Sequence, residues 1–423
     1  MAPLTVGGLR VHGSVRAPGD KSISHRALIL ASVARGSSRI ENILDSADVN
    51  STADALRALG ASIPLLSSRM YVHGGEMHSP REPLDCGNSG TSARLLAGVA
   101  AGARLNATFI GDASLSKRPM RRIAEPLRAM GALVELAPNG GLPMVVEGRK
   151  IVGIDYESSV ASAQVKSAIL LAAVIGGVRA RVHEPHLSRD HTERMLAARG
   201  VELHRVGTTV SVQPAQRIQP GDVRVPADPS SAAFFVALAL LADSGELQLT
   251  DVCLNKTRTG FFDVLRRMGA RIEVRDRREE GGESVGTVIA RPSTLRGVEI
   301  DAADVPAMID ELPLFACVAA RADGESVVRG ASELRVKESD RISTLVNNLK
   351  RLGATAEELP DGFRVVGERS TLRGRATTHG DHRIAMSFGI LGALGGNQVE
   401  VDDPACVAVS YPGFWTDLKR VQQ

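Results

Sequence analysis

The sequence predicts an α/β protein of two domains, each assembled from three copies of one unit of about seventy residues. A helix closed by glycine recurs at a near-constant period, and a helix apolar on every side recurs in step with it. The length of 423 residues also exceeds what a single hydrophobic core ordinarily organises.

The phrase LRALGA ending at Ala61 returns as LRAMGA ending at Ala132, LAARGV at Val201, LRRMGA at Ala270 and LKRLGA at Ala354. Their glycines, Gly60, Gly131, Gly200, Gly269 and Gly353, are spaced 71, 69, 69 and 84 residues apart, and a partial copy, LKRV, ends at Val421. Each reads as an amphipathic helix ended by a C-cap glycine, the residue that enters the left-handed region most readily, followed by a strand such as ARIEV. The helices rich in Ala, Leu and Ile begin near Ser22, Ser89, Ser162, Ser230, Pro306 and His382, and a helix without a polar face is buried. The charged loop at Pro18 to Lys21 and the Pro-rich VRVPADPSS at Val223 to Ser231 mark crossings between domains. The expected partition is residues 1–18 plus 226–423 in one domain and 19–225 in the other, with the hinge near 18–21 and 223–229.

Composition removes several function classes. With 51 basic against 48 acidic residues and 3% aromatics, the chain has neither the bulk field nor the stacking surface of a nucleic-acid binder. Its longest apolar runs, such as AAFFVALALLA from Ala232, cover about half a membrane span, and the N-terminus shows no export signal. Cys86, Cys253, Cys317 and Cys406 lie far apart, which suggests neither disulfides nor a zinc site and suits a reducing cytoplasm.

The chemistry concentrates at the openings of the apolar helices, where free N–H groups and the helix dipole favour anions. GDKSISHR places Lys21 and Arg26 there; CGNSGTSARLL places Asn88, Ser89, Gly90 and Thr91, with Arg94 one turn on; SAQVKSAILL places Ser162 and Gln164; HGDHRIAM places Asp381, His382 and Arg383. Loops add Lys117 and Arg118, Arg189, Asp310 and Glu311, and Lys337, Glu338 and Arg341. Singly, each has a structural reading as a cap or a solvated ion pair; together they recur in register with the repeat. GDKS is no phosphate loop, because the motif needs Gly directly before Lys; His379 and His382 lack a third ligand nearby; and no nucleophile elbow or catalytic cysteine is present.

PGDKSISHRAL, GNSGTSARLL, GDASLSKRPM, SAQVKSAILLAA, MIDELPLFA, LRVKESDRI and GDHRIAMSFG, in this order along nearly the whole chain, closely resemble the 5-enolpyruvylshikimate-3-phosphate synthase family. The resemblance implies a two-domain inside-out α/β barrel built from six βαβαββ repeats, three per domain, closing on substrate about a two-stranded hinge. It implies transfer of the enolpyruvyl group of phosphoenolpyruvate to the 5-hydroxyl of shikimate 3-phosphate with release of phosphate, no cofactor and no metal, in a cytoplasmic, monomeric enzyme open to inhibition by glyphosate. No nucleic acid or membrane partner is implied.

Carried over by motif, the catalytic residues are Asp310, Glu338 and Lys21. Asp310 resembles the acceptor of the 5-hydroxyl proton, Glu338 the group exchanging a proton with C3, and Lys21 a sharer of that transfer. Lys21, Ser22, Arg26, Ser162, Ala163, Gln164, Arg189, Asp310 and Lys337 resemble the shikimate 3-phosphate site. Lys21, Asn88, Gly90, Thr91, Arg118, Gln164, Lys337, Arg341 and Arg383 resemble the phosphoenolpyruvate site. Seven of these side chains are cations against the carboxylates of Asp310 and Glu338, an excess of positive charge that nearly matches the roughly five to six negative charges of the two substrates. The chain departs from the commonest family pattern at Ala163, Glu333 and Val409, as the more divergent class does. The nearest rival, the UDP-N-acetylglucosamine enolpyruvyl transferases, usually places a reactive cysteine where Ala113 stands. An RNA-end-binding or cyclising protein of the same repeat is the rival from another class.

Overall fold

A computed structural model of the chain describes residues 8–368 and 370–422. It divides into two compact units. One contains the described residues up to Pro18, Pro226–Arg278 and Ser284 onward; the other contains Gly19–Val225 together with Glu279–Glu283. Residues 1–7, expected from the sequence in the first of these, lie outside the described residues.

The Gly19–Val225 unit carries three mixed sheets. In the sheet around Asn106–Ile110, that strand runs parallel to Leu84–Asp85 and antiparallel to Met144–Glu147, which pairs in turn with Leu133–Leu136. The helix Gly90–Ala103 links the parallel pair and the helix Arg121–Ala129 precedes the hairpin. The same order joins Ile154–Glu157, helix Ala163–Gly176, Ala180–His183, helix His191–Ala197 and the Leu203–Val206/Thr209–Val212 hairpin. Around Gly36–Glu41 the parallel neighbour is Val223–Arg224, supplied from the far end of the unit.

Close helix packing organises this unit. A Cβ added at Gly98 would sit 2.4 Å from the Ala168 carbonyl oxygen, and one at Gly102 2.6 Å from that of Ala172. The two bare glycines let Gly90–Ala103 and Ala163–Gly176 approach backbone to backbone, which brings their first turns side by side.

In the other unit, Glu299–Ile300 and Gly324–Val328 pair in parallel, with Gly362–Gly367 and Thr355–Leu359 completing the sheet. Leu247–Cys253 runs parallel to Ser14–Val15, so a strand from the chain's start returns to this unit. Arg373–Ala376 and Gln398–Val401 form a third parallel pair. Its core is dominated by Pro229–Leu241, Leu312–Ala319 and His382–Ala393, whose apolar side chains are almost all buried; each fully buried Leu or Phe contributes about 1.5–3 kcal/mol.

Gly60, Gly131, Gly200, Gly269 and Gly353 all have φ between 81° and 106°, each just past its helix, so the left-handed stop predicted for the repeated phrase is present in every full copy. The expectation at Pro306 fails. Pro306 falls in a single 3-10 turn, Val305–Ala307, and the buried helix begins only at Leu312, after Asp310 and Glu311. A second difference is the hairpin of Arg271–Glu280 and Glu283–Arg291, expected simply as part of residues 226–423, whose tip groups with the Gly19–Val225 unit. There Glu283 pairs with His191 at 2.6 Å, both buried, and Arg194 donates to the Gly282 carbonyl at 3.0 Å.

Candidate active site

The predicted helix openings are largely closed by the chain itself. Asp20 Oδ1 accepts from the Ile23 N–H at 2.8 Å, and Asp381 Oδ1 from the Arg383 N–H at 2.9 Å. Ser89 and Ser162 cap Gly90–Ala103 and Ala163–Gly176. An anionic ligand here would meet side-chain cations first, and only second any helix N–H left over.

In the Gly19–Val225 unit, Lys21 Nζ contacts Asp48 Oδ2 at 2.9 Å. Arg26 is buried and spends its guanidinium locally: Nε donates to Thr192 Oγ1 at 2.6 Å, Nη2 to Ser167 Oγ at 2.9 Å and Nη1 to the Ser22 carbonyl at 2.9 Å. Gln164 Nε2 donates to Thr91 Oγ1 at 3.0 Å, and Arg94 Nη1 donates to Gln164 Oε1 at 2.5 Å. Arg118 Nη2 donates to Asn88 Oδ1, whose amide donates to Asp112 Oδ2 at 2.6 Å. A Cβ on Gly90 would lie 3.0 Å from Arg94 Nη1 and 3.6 Å from Arg118 Nη1. Asn88, Gly90, Thr91, Arg118 and Gln164 therefore share one surface with Arg94. Ala163 opens its helix beside Ser162, and Arg189 is half-buried between Ser188 and Asp190.

The other unit assembles Asp310, Glu338, Arg341 and Arg383. Arg341 is 1% exposed. Its Nε donates to Asp381 Oδ2 at 2.8 Å, its Nη2 to Glu338 Oε2 at 2.7 Å, and its Nη1 lies 3.6 Å from Asp310 Oδ1. Burial opposes the charge, but Asp381 and Glu338 outweigh it and hold the guanidinium above its ordinary pKa. Arg383 Nη1 donates to the Asp310 carbonyl at 3.2 Å, and its guanidinium lies 3.6 Å from the Asp310 carboxylate and 3.7 Å from Glu311. Lys337 is half-buried next to Glu338. A hollow of about 410 Å³ beside Glu338 is lined by Ser343, Asn347, Arg351, Thr377 and His379.

The expected charge balance needs correction. On the Gly19–Val225 unit stand the five cations Lys21, Arg26, Arg94, Arg118 and Arg189, with the Asp48 carboxylate against Lys21. On the other, Lys337, Arg341 and Arg383 stand among four carboxylates, Asp310, Glu311, Glu338 and Asp381. Positive charge is therefore concentrated in the first set and more than offset in the second. Neither Asp48 nor Asp381 is legible as a partner in the sequence, because ion pairs 27 and 40 residues apart leave no local pattern.

The EPSP synthase family, 3-phosphoshikimate 1-carboxyvinyltransferase, matches residues 6–418. The chain belongs to this family. The 3-phosphoshikimate 1-carboxyvinyltransferase of Sulfurihydrogenibium sp. (strain YO3AOP1) is 46% identical over 422 residues, covering 98% of both chains. That of Bacillus subtilis (strain 168) is 43% identical over 419 residues, again with 98% of both covered. The solved EPSP synthase from Acinetobacter baumannii has a TM-score of 0.86 and 38% identity, over 98% of this chain and 96% of that one. The enolpyruvyl transferase NikO from Streptomyces tendae, at 21% identity and a TM-score of 0.77, shares the fold.

For an EPSP synthase the electrostatic layout is chemically apt: a cationic surface suits phosphate esters, and carboxylates fixed by arginines suit proton transfer. Among the described residues no helix is long and apolar enough to cross a membrane, and no cluster of three or more His, Cys, Asp or Glu could hold a metal ion. Thr192 and Ser167, which bond Arg26, are partners that the motifs did not single out, whereas Arg94 stood in CGNSGTSARLL. The signal for Arg94 was its place one turn inside a helix that opens on Gly90.

Proposed function

We propose that this EPSP synthase family member transfers the enolpyruvyl group of phosphoenolpyruvate to the 5-hydroxyl of shikimate 3-phosphate. The 5-oxygen bonds to C2 of the enol as C3 takes a proton, giving a tetrahedral intermediate. Loss of that C3 proton and expulsion of phosphate then restore the double bond. Lys21, Ser22, Arg26, Ser162, Ala163, Gln164 and Arg189, with Asp310 and Lys337, hold shikimate 3-phosphate. Lys21, Asn88, Gly90, Thr91, Arg118, Gln164, Lys337, Arg341 and Arg383 hold phosphoenolpyruvate. Asp310 takes the 5-hydroxyl proton, Glu338 gives and retrieves the C3 proton, and Lys21 assists. The six-repeat inside-out barrel, the two-domain partition and a monomeric cytoplasmic state belong to the same reading; four free cysteines suit a reducing compartment.

One observation carries the assignment of chemistry: the single buried guanidinium of Arg341 reaches both Glu338, at 2.7 Å, and Asp310, at 3.6 Å. Two proton-transfer groups are thereby held on one rigid cation, where a base for the hydroxyl and an acid for the carbon are needed together. The test is phosphate release from phosphoenolpyruvate with shikimate 3-phosphate as acceptor, against UDP-N-acetylglucosamine. Release with the shikimate ester alone is expected; release with the UDP-sugar alone would overturn the reading.

A further inference from the structure

Behind the Ser162–Gln164 turn lies a cluster that the mechanism does not use, although its lysine stands within SAQVKSAILLAA. Lys166 Nζ is 2.8 Å from Glu184 Oε2 and 2.8 Å from Glu193 Oε1, and the three side chains are 3%, 2% and 10% exposed. Glu184 follows the strand Ala180–His183, and Glu193 lies in the helix His191–Ala197. The two glutamates thus flank the loop that carries Arg189, Glu184 at its start and Glu193 in the first turn of the helix that follows it, and one ammonium holds both. Ser188 Oγ donates to Glu184 Oε1 at 2.6 Å, which ties Arg189's own neighbour to the cluster. Thr192, between Arg189 and Glu193, accepts from Arg26 Nε at 2.6 Å and bonds Ser167 Oγ at 2.6 Å.

One buried cation between two buried carboxylates leaves an excess negative charge. Stability alone disfavours that arrangement, because desolvating ions costs several kcal/mol each and an apolar trio of the same volume would serve as well or better. What the trio supplies is geometry: it pins the Arg189 loop to the helix whose first residues are Ala163 and Gln164.

We infer that Lys166, with Glu184 and Glu193, is a positioning residue for acceptor binding, setting Arg189 and Arg26 against the Ser162–Gln164 turn. The inference rests on the reading that Arg189, Arg26, Ser162 and Gln164 hold shikimate 3-phosphate. Loosening the cluster shifts Arg189 without touching the ligand, so it weakens the acceptor and spares the donor.

The test uses Lys166→Met combined with Glu184→Gln and Glu193→Gln, which removes all three charges and leaves none buried alone. Thermal unfolding confirms the fold; steady-state kinetics and calorimetry with shikimate 3-phosphate read the effect. KM and Kd for shikimate 3-phosphate are expected to rise about tenfold, with KM for phosphoenolpyruvate and saturating kcat within about twofold. Arg189→Gln is measured beside it. A folded triple variant with unchanged acceptor affinity, or one weakened equally for both substrates, overturns the inference. Should Arg189→Gln weaken the acceptor while the triple variant does not, the cluster's role has failed; should Arg189→Gln itself have no effect, the role of Arg189 has failed and the inference with it. Where the triple variant does not fold, Glu193→Gln alone removes the excess charge and one arm of the cluster; it must show the same split between acceptor and donor.

Discussion

Arg341 and Asp381 form a buried ion pair, Nε to Oδ2 at 2.8 Å, with the arginine 1% exposed and the aspartate fully enclosed. Asp381 also caps the helix His382–Ala393 and accepts from Ser339 Oγ at 3.2 Å. One carboxylate therefore fixes the guanidinium that reaches Glu338 and Asp310. Asp381→Asn preserves the cap and removes the charge, leaving Arg341 with Glu338 and Asp310 as its anions. A loss of about 3 kcal/mol in urea-unfolding stability is expected, because the pair broken is the fully enclosed one, and the more exposed Glu338 and the more distant Asp310 compensate the buried guanidinium less well. A loss under about 1 kcal/mol would show that Glu338 and Asp310 suffice.

Glu338 is half-buried and bonded at 2.7 Å to Arg341, so Glu338→Gln keeps the shape and a hydrogen-bonding partner but cannot take up a proton. The fold is expected to persist while kcat falls by about 10²–10⁴, the usual contribution of general acid–base transfer. Near-normal kcat in a folded variant would remove Glu338 from proton transfer at C3.

Gly90 begins a helix with ordinary backbone geometry, so space rather than φ dictates its identity. A methyl group there would meet Arg94 Nη1 at 3.0 Å, tighter than ordinary contact, and displace the arginine that holds Gln164. Gly90→Ala is expected to raise KM for phosphoenolpyruvate several-fold, the scale of one methyl group's misfit. Wild-type enzyme is expected to be inhibited by glyphosate and the variant to resist it; inhibition curves for the two decide. Full wild-type activity at concentrations that block a sensitive family member would refute the first half.

How much of the fold and site was legible in the sequence depended on the range of the interaction. The five glycines announced themselves because a helix stop in the left-handed region needs glycine locally, and all five have the positive φ expected. Pro306 misled because proline suits any first turn, and nothing local in the sequence reveals that the buried helix waits until Leu312, beyond Asp310 and Glu311. Within the site, Gly90, Thr91 and Gln164 were named from their motifs, but the bond joining Thr91 to Gln164 spans 73 residues and depends on Gly98 and Gly102 facing Ala168 and Ala172. Asp48 and Thr192 escaped, and Asp381 was named without its partner, for the same reason: each looks like a helix-start residue until its distant arginine or lysine is in place.

His25, inside the PGDKSISHRAL stretch, makes stability depend on pH. Its Nδ1 bonds Thr52 Oγ1 at 2.7 Å, Thr52 bonds Ser92 Oγ at 2.6 Å, and Ser92 bonds Ser89 Oγ at 2.7 Å, a buried chain from the Lys21 helix to the cap of the Gly90 helix. Burial first, then Lys21 and Arg26, push the imidazole well below its ordinary 6.5, and Nε2 has no hydrogen-bond partner among the described residues. Folded His25 is therefore neutral while the unfolded chain takes up a proton near pH 6.5. With more protons bound unfolded than folded, stability is full above that pH and falls on acidification, by up to about 1.4 kcal/mol per unit from this one group. Between about pH 7 and about pH 5, urea midpoints should drop more for wild type than for His25→Gln, which has nothing to titrate. Equal drops in both would mean that the folded protein accommodates the charged ring, and that the chain to Ser89 does not depend on a neutral one.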